Sequence, residues 1–129
     1  MTPKARLEKT RLQERWIDSL YLTLRGILRD IGTDDHARLL DDLKFTYNEA
    51  ITAAKECNCD LMLDFISGTM NKILAIDEGL TEAMYIGKLT HEEYIKTGSM
   101  LRDMHRHAID TIEKILEERC GCRWQKESS

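Results

Sequence analysis

Proline is nearly absent from this chain. Pro3 is the only one, and it follows Thr2 in the N-cap then N1 order that opens a helix. Nothing beyond it forces a helix to stop. Aromatic residues make up only 6% of the chain, and there are seven glycines. That profile favours long helices over sheet. No apolar run approaches the ~18 residues of a membrane span, and no N-terminal stretch has the charged-then-apolar pattern of a secretory signal. The expectation is a cytoplasmic protein with no membrane partner. Familiar catalytic signatures are missing too. There is no glycine-rich phosphate loop, no His-Glu-x-x-His, and no Glu-x-x-His repeated on two helices. No enzyme class is supported, and no catalytic residue is assigned.

Apolar residues recur at helical spacing along four segments. The first runs from about Pro3 to Ile31, with Leu12, Trp16, Leu20, Leu24, Ile27 and Ile31 predicted on its core face. Gly32 and Thr33 supply a stop and a new N-cap, and Asp34 and Asp35 suit the start of the next helix. The second segment carries Leu39, Leu40, Leu43, Tyr47, Ala50, Ile51 and Ala54. Asn58 or Asp60 caps the third, whose stripe is Met62, Ile66, Met70, Ile73, Ile76, Leu80 and Met84. Gly79 lies inside that stripe and predicts a kink or break there. Thr90-x-x-Glu93 is a capping box opening the fourth segment, which continues through Leu101, Met104, Ala108, Ile112, Ile115 and Leu116.

At ~1.5 Å per residue the four helices span roughly equal lengths, about 36–45 Å. Matched helices with short connections predict one all-α, antiparallel up-down four-helix bundle over residues 1–122, with 123–129 as a frayed tail. The stretch from Tyr85 to Tyr94, Tyr-Ile-Gly-Lys-Leu-Thr-His-Glu-Glu-Tyr, resembles the helix-turn-helix of short C-terminal (SHOCT-type) domains. The resemblance covers about 25 residues around a glycine turn and a Thr-x-Glu-Glu-aromatic helix start. It implies self-association.

The four cysteines occur as two Cys-x-Cys pairs, Cys57-Asn58-Cys59 and Cys120-Gly121-Cys122, each where a helical pattern ends. In an up-down bundle the second and fourth helices run the same way, which places both pairs at one end. Three readings compete: unlinked thiols, a four-cysteine clip around a structural zinc, and disulfides between the hairpins. A tetrahedral zinc site needs four thiolates at ~2.3 Å from the metal. Disulfides need an oxidising compartment.

Two polar residues fall on apolar faces. His105 projects beside Leu101, Ala108 and Ile112, and Asp77 lies between Ile73 and Leu80. Both sit at about the same height from the cysteine end, so they are expected to pair. Such a pair could fix core register or serve as a general base with its orienting partner.

Charge is uneven. The net charge is −4, yet residues 1–32 carry seven Lys/Arg against four Asp/Glu, or +3, and the rest carry twelve against nineteen, or −7. Arg11, Arg15, Arg25 and Arg29 line the outer face of the first helix, with Leu22 among them. Phe45 projects away from the core face of the second helix. Like charges at i, i+4 cost a few tenths of a kcal/mol each, so a stripe that tolerates them suggests a partner. The expected function is a non-catalytic interaction protein that binds a protein partner or itself through these helix faces, with zinc as the one cofactor in view. The alternatives are a nucleic-acid-binding accessory subunit using the stripe, and a small bundle enzyme or ligand carrier centred on His105 and Asp77. No aromatics interleave with the arginines as stacking platforms would, which weighs against nucleic acid.

Overall fold

A computed structural model of the protein describes the backbone over residues 3–121 and the side chains over 14–58 and 68–121. Four helices follow one another through short turns: α1 (Pro3–Asp30), α2 (Asp34–Lys55), α3 (Cys59–Tyr85) and α4 (His91–Ile115). A π-helical turn, Leu116–Cys120, extends α4. Packing is most extensive between α1 and α4 and between α2 and α3. The α1–α2 and α3–α4 contacts close the ring, and α2 also meets α4 across a diagonal. This is the expected four-helix bundle.

The core forms where the apolar faces converge. Leu24 and Leu28 of α1, Leu40, Leu43 and Tyr47 of α2, Ile76 and Leu80 of α3, and Leu101, Met104 and Ile112 of α4 are all buried. The predicted stripe of α4 is met throughout, but two others need correction. Trp16 is 58% exposed, and its neighbour Ile17 occupies the core instead. Met70 is 44% exposed, and Leu74 beside it is exposed as well. The side chains of Met62 and Ile66 lie outside the described residues.

Of the kink or break expected near Gly79, the break does not occur: α3 runs continuously through it. Gly79 serves another purpose. The His36 imidazole of α2 lies so close over its Cα that a Cβ at Gly79 would collide with the ring. Glycine is there to admit a side chain from the neighbouring helix, and the hydrogen-bond ladder is unaffected.

Helix ends explain the turns. At the C-terminus of α1, Thr33 N–H donates to Leu28 O and Gly32 N–H to Arg29 O. At α3, Lys88 N–H donates to Ala83 O and Gly87 N–H to Met84 O. At α2, Asn58 N–H donates to Ala53 O and Cys57 N–H to Ala54 O. All three are Schellman closures, which require a left-handed residue just past the helix. Gly32 (φ +74°) and Gly87 (φ +84°) fill that place in two of them, and Cys57 (φ +59°) fills it in the third.

Thr90 and Glu93 make the predicted capping box, with the Thr90 N–H donating to the Glu93 carboxylate at 2.9 Å and the Glu93 N–H to Thr90 Oγ1 at 3.1 Å. The backbone N–H of Thr90 holds the Glu93 carboxyl below its usual range. Thr33 precedes α2 as expected but makes no side-chain cap. Its hydroxyl donates to Leu28 O at 2.9 Å, leaving Asp34 and Asp35 to complement the helix dipole.

Candidate functional site

The parallel course of α2 and α4 brings their C-terminal ends together. Cys57 and Cys120 form a disulfide there, with Cα atoms 5.4 Å apart. That separation is within the usual disulfide range. Of the three readings of the cysteines, this structure takes the disulfide for Cys57 and Cys120, whose sulfurs in this state are bonded to each other and not thiolates. The side chains of Cys59 and Cys122 lie outside the described residues, so the four-cysteine set is not seen together. Among the described residues, no group of three His, Cys, Asp or Glu is arranged to hold a metal ion.

The two bonded cysteines differ in setting. Cys57 is exposed at the turn, whereas Cys120 is half-buried and packs against the core. The Cys120 sulfur lies 3.4 Å from Ala54 O. Cys57 carries a left-handed backbone that costs a non-glycine residue roughly 1–2 kcal/mol.

A second link joins the same two helices deeper in the bundle. The Tyr47 hydroxyl lies 2.8 Å from His105 Nδ1, and the rings are 5.9 Å apart at 42°. His105 was expected to meet Asp77; its partner is Tyr47. The reason is the direct α2–α4 contact, which puts α2 against this part of α4. Asp77 lies instead beside Gly98, with Oδ1 3.9 Å from the place a Cβ would occupy there. Burial raises the Tyr47 phenol well above its ordinary value, and burial lowers His105. Both groups are held neutral, which suits a register-fixing hydrogen bond.

The α1–α2 seam has a different character. Asp18 pairs with Lys44 at 2.7 Å, Glu14 with Lys55 at 3.2 Å and Arg25 with Asp41 at 2.9 Å. The Tyr21 hydroxyl also donates to Asp41 at 2.6 Å. Burial alone would raise the Asp41 carboxyl. The hydrogen bonds from Tyr21 and Arg25, with the charges of Arg25 and Arg29, reverse that and leave it below its usual range. Arg25 therefore leaves the predicted stripe, since its part-exposed guanidinium is paired with Asp41 of α2. Arg15 and Arg29 remain exposed on the outer face. Arg11 lies outside the described side chains.

Leu22 and Phe45 are exposed as expected, at 65% and 64%. The ion pairs mark the antiparallel register of α1 and α2, and that register sets Leu22 opposite the part of α2 that includes Phe45. By helical spacing both flank the ion-paired seam on the side away from the core. Asp42 and Glu49 are exposed next to Phe45, so the α1 half of this face is basic and much of the α2 half is acidic. Arg38 is a basic exception near the start of α2.

Two clefts stand out among the described residues. One of about 370 Å³ lies along the α1–α2 seam, crossed by the Asp18–Lys44 and Glu14–Lys55 pairs. The other, about 360 Å³, lies beside the α1–α2 turn, between His36, Gly79, Glu82 and Lys88. His36 Nδ1 is buried there without a hydrogen-bond partner. Neither cleft includes His105 or Asp77. Nothing in the sequence marks His36 as a packing residue; the only trace is a glycine inside an apolar stripe.

On α1, Trp16 covers His107 of α4, with ring centroids 6.1 Å apart and planes inclined by 14°. No helix among the described residues is long and apolar enough to cross a membrane. No known family model, curated protein or solved structure matches the chain. The resemblance to short C-terminal domains therefore rests on the turn at Gly87 and the capping box alone.

Proposed function

We propose that this protein is a non-catalytic interaction protein that self-associates through the outer face of α1 and α2. The observation that carries the reading is the placement of Leu22 and Phe45. Each is an exposed apolar residue, and the register of the seam puts both on one face. A two-fold interface is self-complementary, so α1 of one copy can lie on α2 of the other. Arg15 and Arg29 of one copy then meet Asp42 and Glu49 of its mate, and Leu22 approaches the mate's Phe45. Opposed charge at an interface supplies orientation and association rate more than affinity, while the two apolar residues supply the anchor.

A charge exchange tests this directly. The variant R15E/R29E and the variant D42K/E49K should each sediment as monomers, and an equimolar mixture should recover the dimer. A mixture that stays monomeric contradicts the interface. If the wild type stays monomeric but binds single-stranded or duplex nucleic acid with a steep salt dependence, the accessory-subunit reading replaces it. In the bundle enzyme or carrier reading a ligand would have to reach His105, and neither described cleft leads there.

The same proposal covers the cysteine end when it is reduced. Cys57, Cys59, Cys120 and Cys122 then supply a structural zinc clip. Its support is the 5.4 Å approach of Cys57 and Cys120, with a further cysteine two residues beyond each. About one zinc per reduced chain, measured by mass spectrometry, is the expected result.

A further inference from the structure

Three helices close with the same pair of backbone hydrogen bonds, and the left-handed position is glycine in two of them and Cys57 in the third. Glycine meets that backbone requirement without strain. A cysteine in the same place is explained by what its sulfur does. We propose that the Cys57–Cys120 bond is a thiol-exchange site, opened in the folded protein by attack of a low-molecular-weight thiol on the Cys57 sulfur.

Access decides which sulfur is attacked. The incoming thiolate must approach along the S–S axis from the side opposite the leaving sulfur. Attack at Cys57 comes through the exposed turn, and attack at Cys120 would have to come through a half-buried position against the core. The S–S bond breaks as a new one forms between the incoming sulfur and Cys57. The bonding pair leaves with Cys120, which takes a proton from solvent in place of the one the incoming thiol gave up. The released Cys120 thiol already faces an acceptor, Ala54 O, 3.4 Å away. A second low-molecular-weight thiol then attacks the mixed disulfide and leaves Cys57 as a thiol. In sum two external thiols are oxidised to a disulfide and one protein disulfide is reduced.

The bundle does not have to unfold for this. Cys57 lies outside the buried cluster, which spans all four helices independently of it. Opening the bond removes the covalent tie between Cys120, at the end of the π-helical turn, and the end of α2, while Leu116 stays buried in the core. The site is therefore a point of reversible thiolation that controls how the end of α4 is held.

The test uses the oxidised variant C59S/C122S with a chelator present, so that neither neighbouring thiols nor metal intervene. It is exposed to reduced glutathione, quenched with acid, and mapped by peptide mass spectrometry. The glutathione adduct should sit on Cys57 in at least about tenfold excess over Cys120. The opening rate should be flat across urea concentrations that leave the far-UV circular dichroism unchanged. An adduct mainly on Cys120, or a rate that climbs with urea in step with unfolding, overturns the proposal and makes the bond a structural staple. Should the double variant fail to fold, the same mapping on the wild-type chain decides the matter by the ratio of Cys57 to Cys120 adducts.

Discussion

Helix α2 treats its two neighbours α4 and α1 in opposite ways. Toward α4 it is dry: Tyr47 is buried and bonds His105, and Cys57 closes the end covalently. Toward α1 it is wet, with Asp41, Lys44 and Lys55 in part-exposed ion pairs. The first seam ties α2 to α4 across the bundle by a part-buried hydrogen bond and a cross-link. The second is a row of weak polar contacts, and the outer face beside it carries the exposed Leu22 and Phe45. A molecule arranged this way keeps its cross-link away from the proposed docking face.

Breaking the dry seam should cost most at the disulfide. It joins positions 63 residues apart, and closing a loop of that size is worth about 4 kcal/mol in the chain-entropy model. Cys120→Ser should lower the urea midpoint accordingly, and reduction of the wild type should have the same effect. At the contact between α2 and α3, Gly79→Ala must displace the His36 ring. Overpacking of that kind costs about 1–3 kcal/mol, visible in thermal unfolding, and a helix-propensity gain of about 1 kcal/mol offsets part of it.

Tyr47→Phe leaves His105 Nδ1 without its partner and should cost about 1–2 kcal/mol. The pair also gives the dry seam a signature in pH. His105 is lowered from 6.5, so below about that pH the unfolded chain takes a proton that the folded chain resists, and stability falls as pH drops. Tyr47 is raised from 10.0, so above it the folded chain keeps a proton that the unfolded chain loses, and stability falls as pH rises. Tyr47→Phe should remove this contribution to the alkaline decline in a denaturant series run across pH. The smallest effect belongs to the wet seam. A double-mutant cycle on Asp18 and Lys44 should return a coupling below about 1 kcal/mol, shrinking further with added salt.

The sequence disclosed the dry seam better than the wet one. A narrow apolar stripe such as Leu101, Met104, Ala108 and Ile112 points to one face, and that face is buried. In α1 the buried face is displaced by one residue, from Trp16 to Ile17. Trp16 is as apolar as Ile17, and only the rotation of α1 against α4 decides that the indole lies outside on His107. The meeting of Cys57 and Cys120 at one end followed from helix direction alone. The partner of His105 did not, since it depends on α2 and α4 touching across the bundle. Arg25 looked like its neighbours Arg15 and Arg29 until the register of α1 on α2 brought Asp41 to it.

The exposed residues Met70, Leu74 and Ile95 on α3 and α4 offer a rival apolar surface, so the most direct measurement sets the two against each other. Sedimentation equilibrium would compare the wild type with L22D/F45D and with L74D/I95D, each checked for unchanged helicity. A dimer in the wild type and in L74D/I95D, with a monomer in L22D/F45D, is the predicted result. A dimer that survives L22D/F45D and is lost in L74D/I95D would contradict it and move the docking face to α3 and α4.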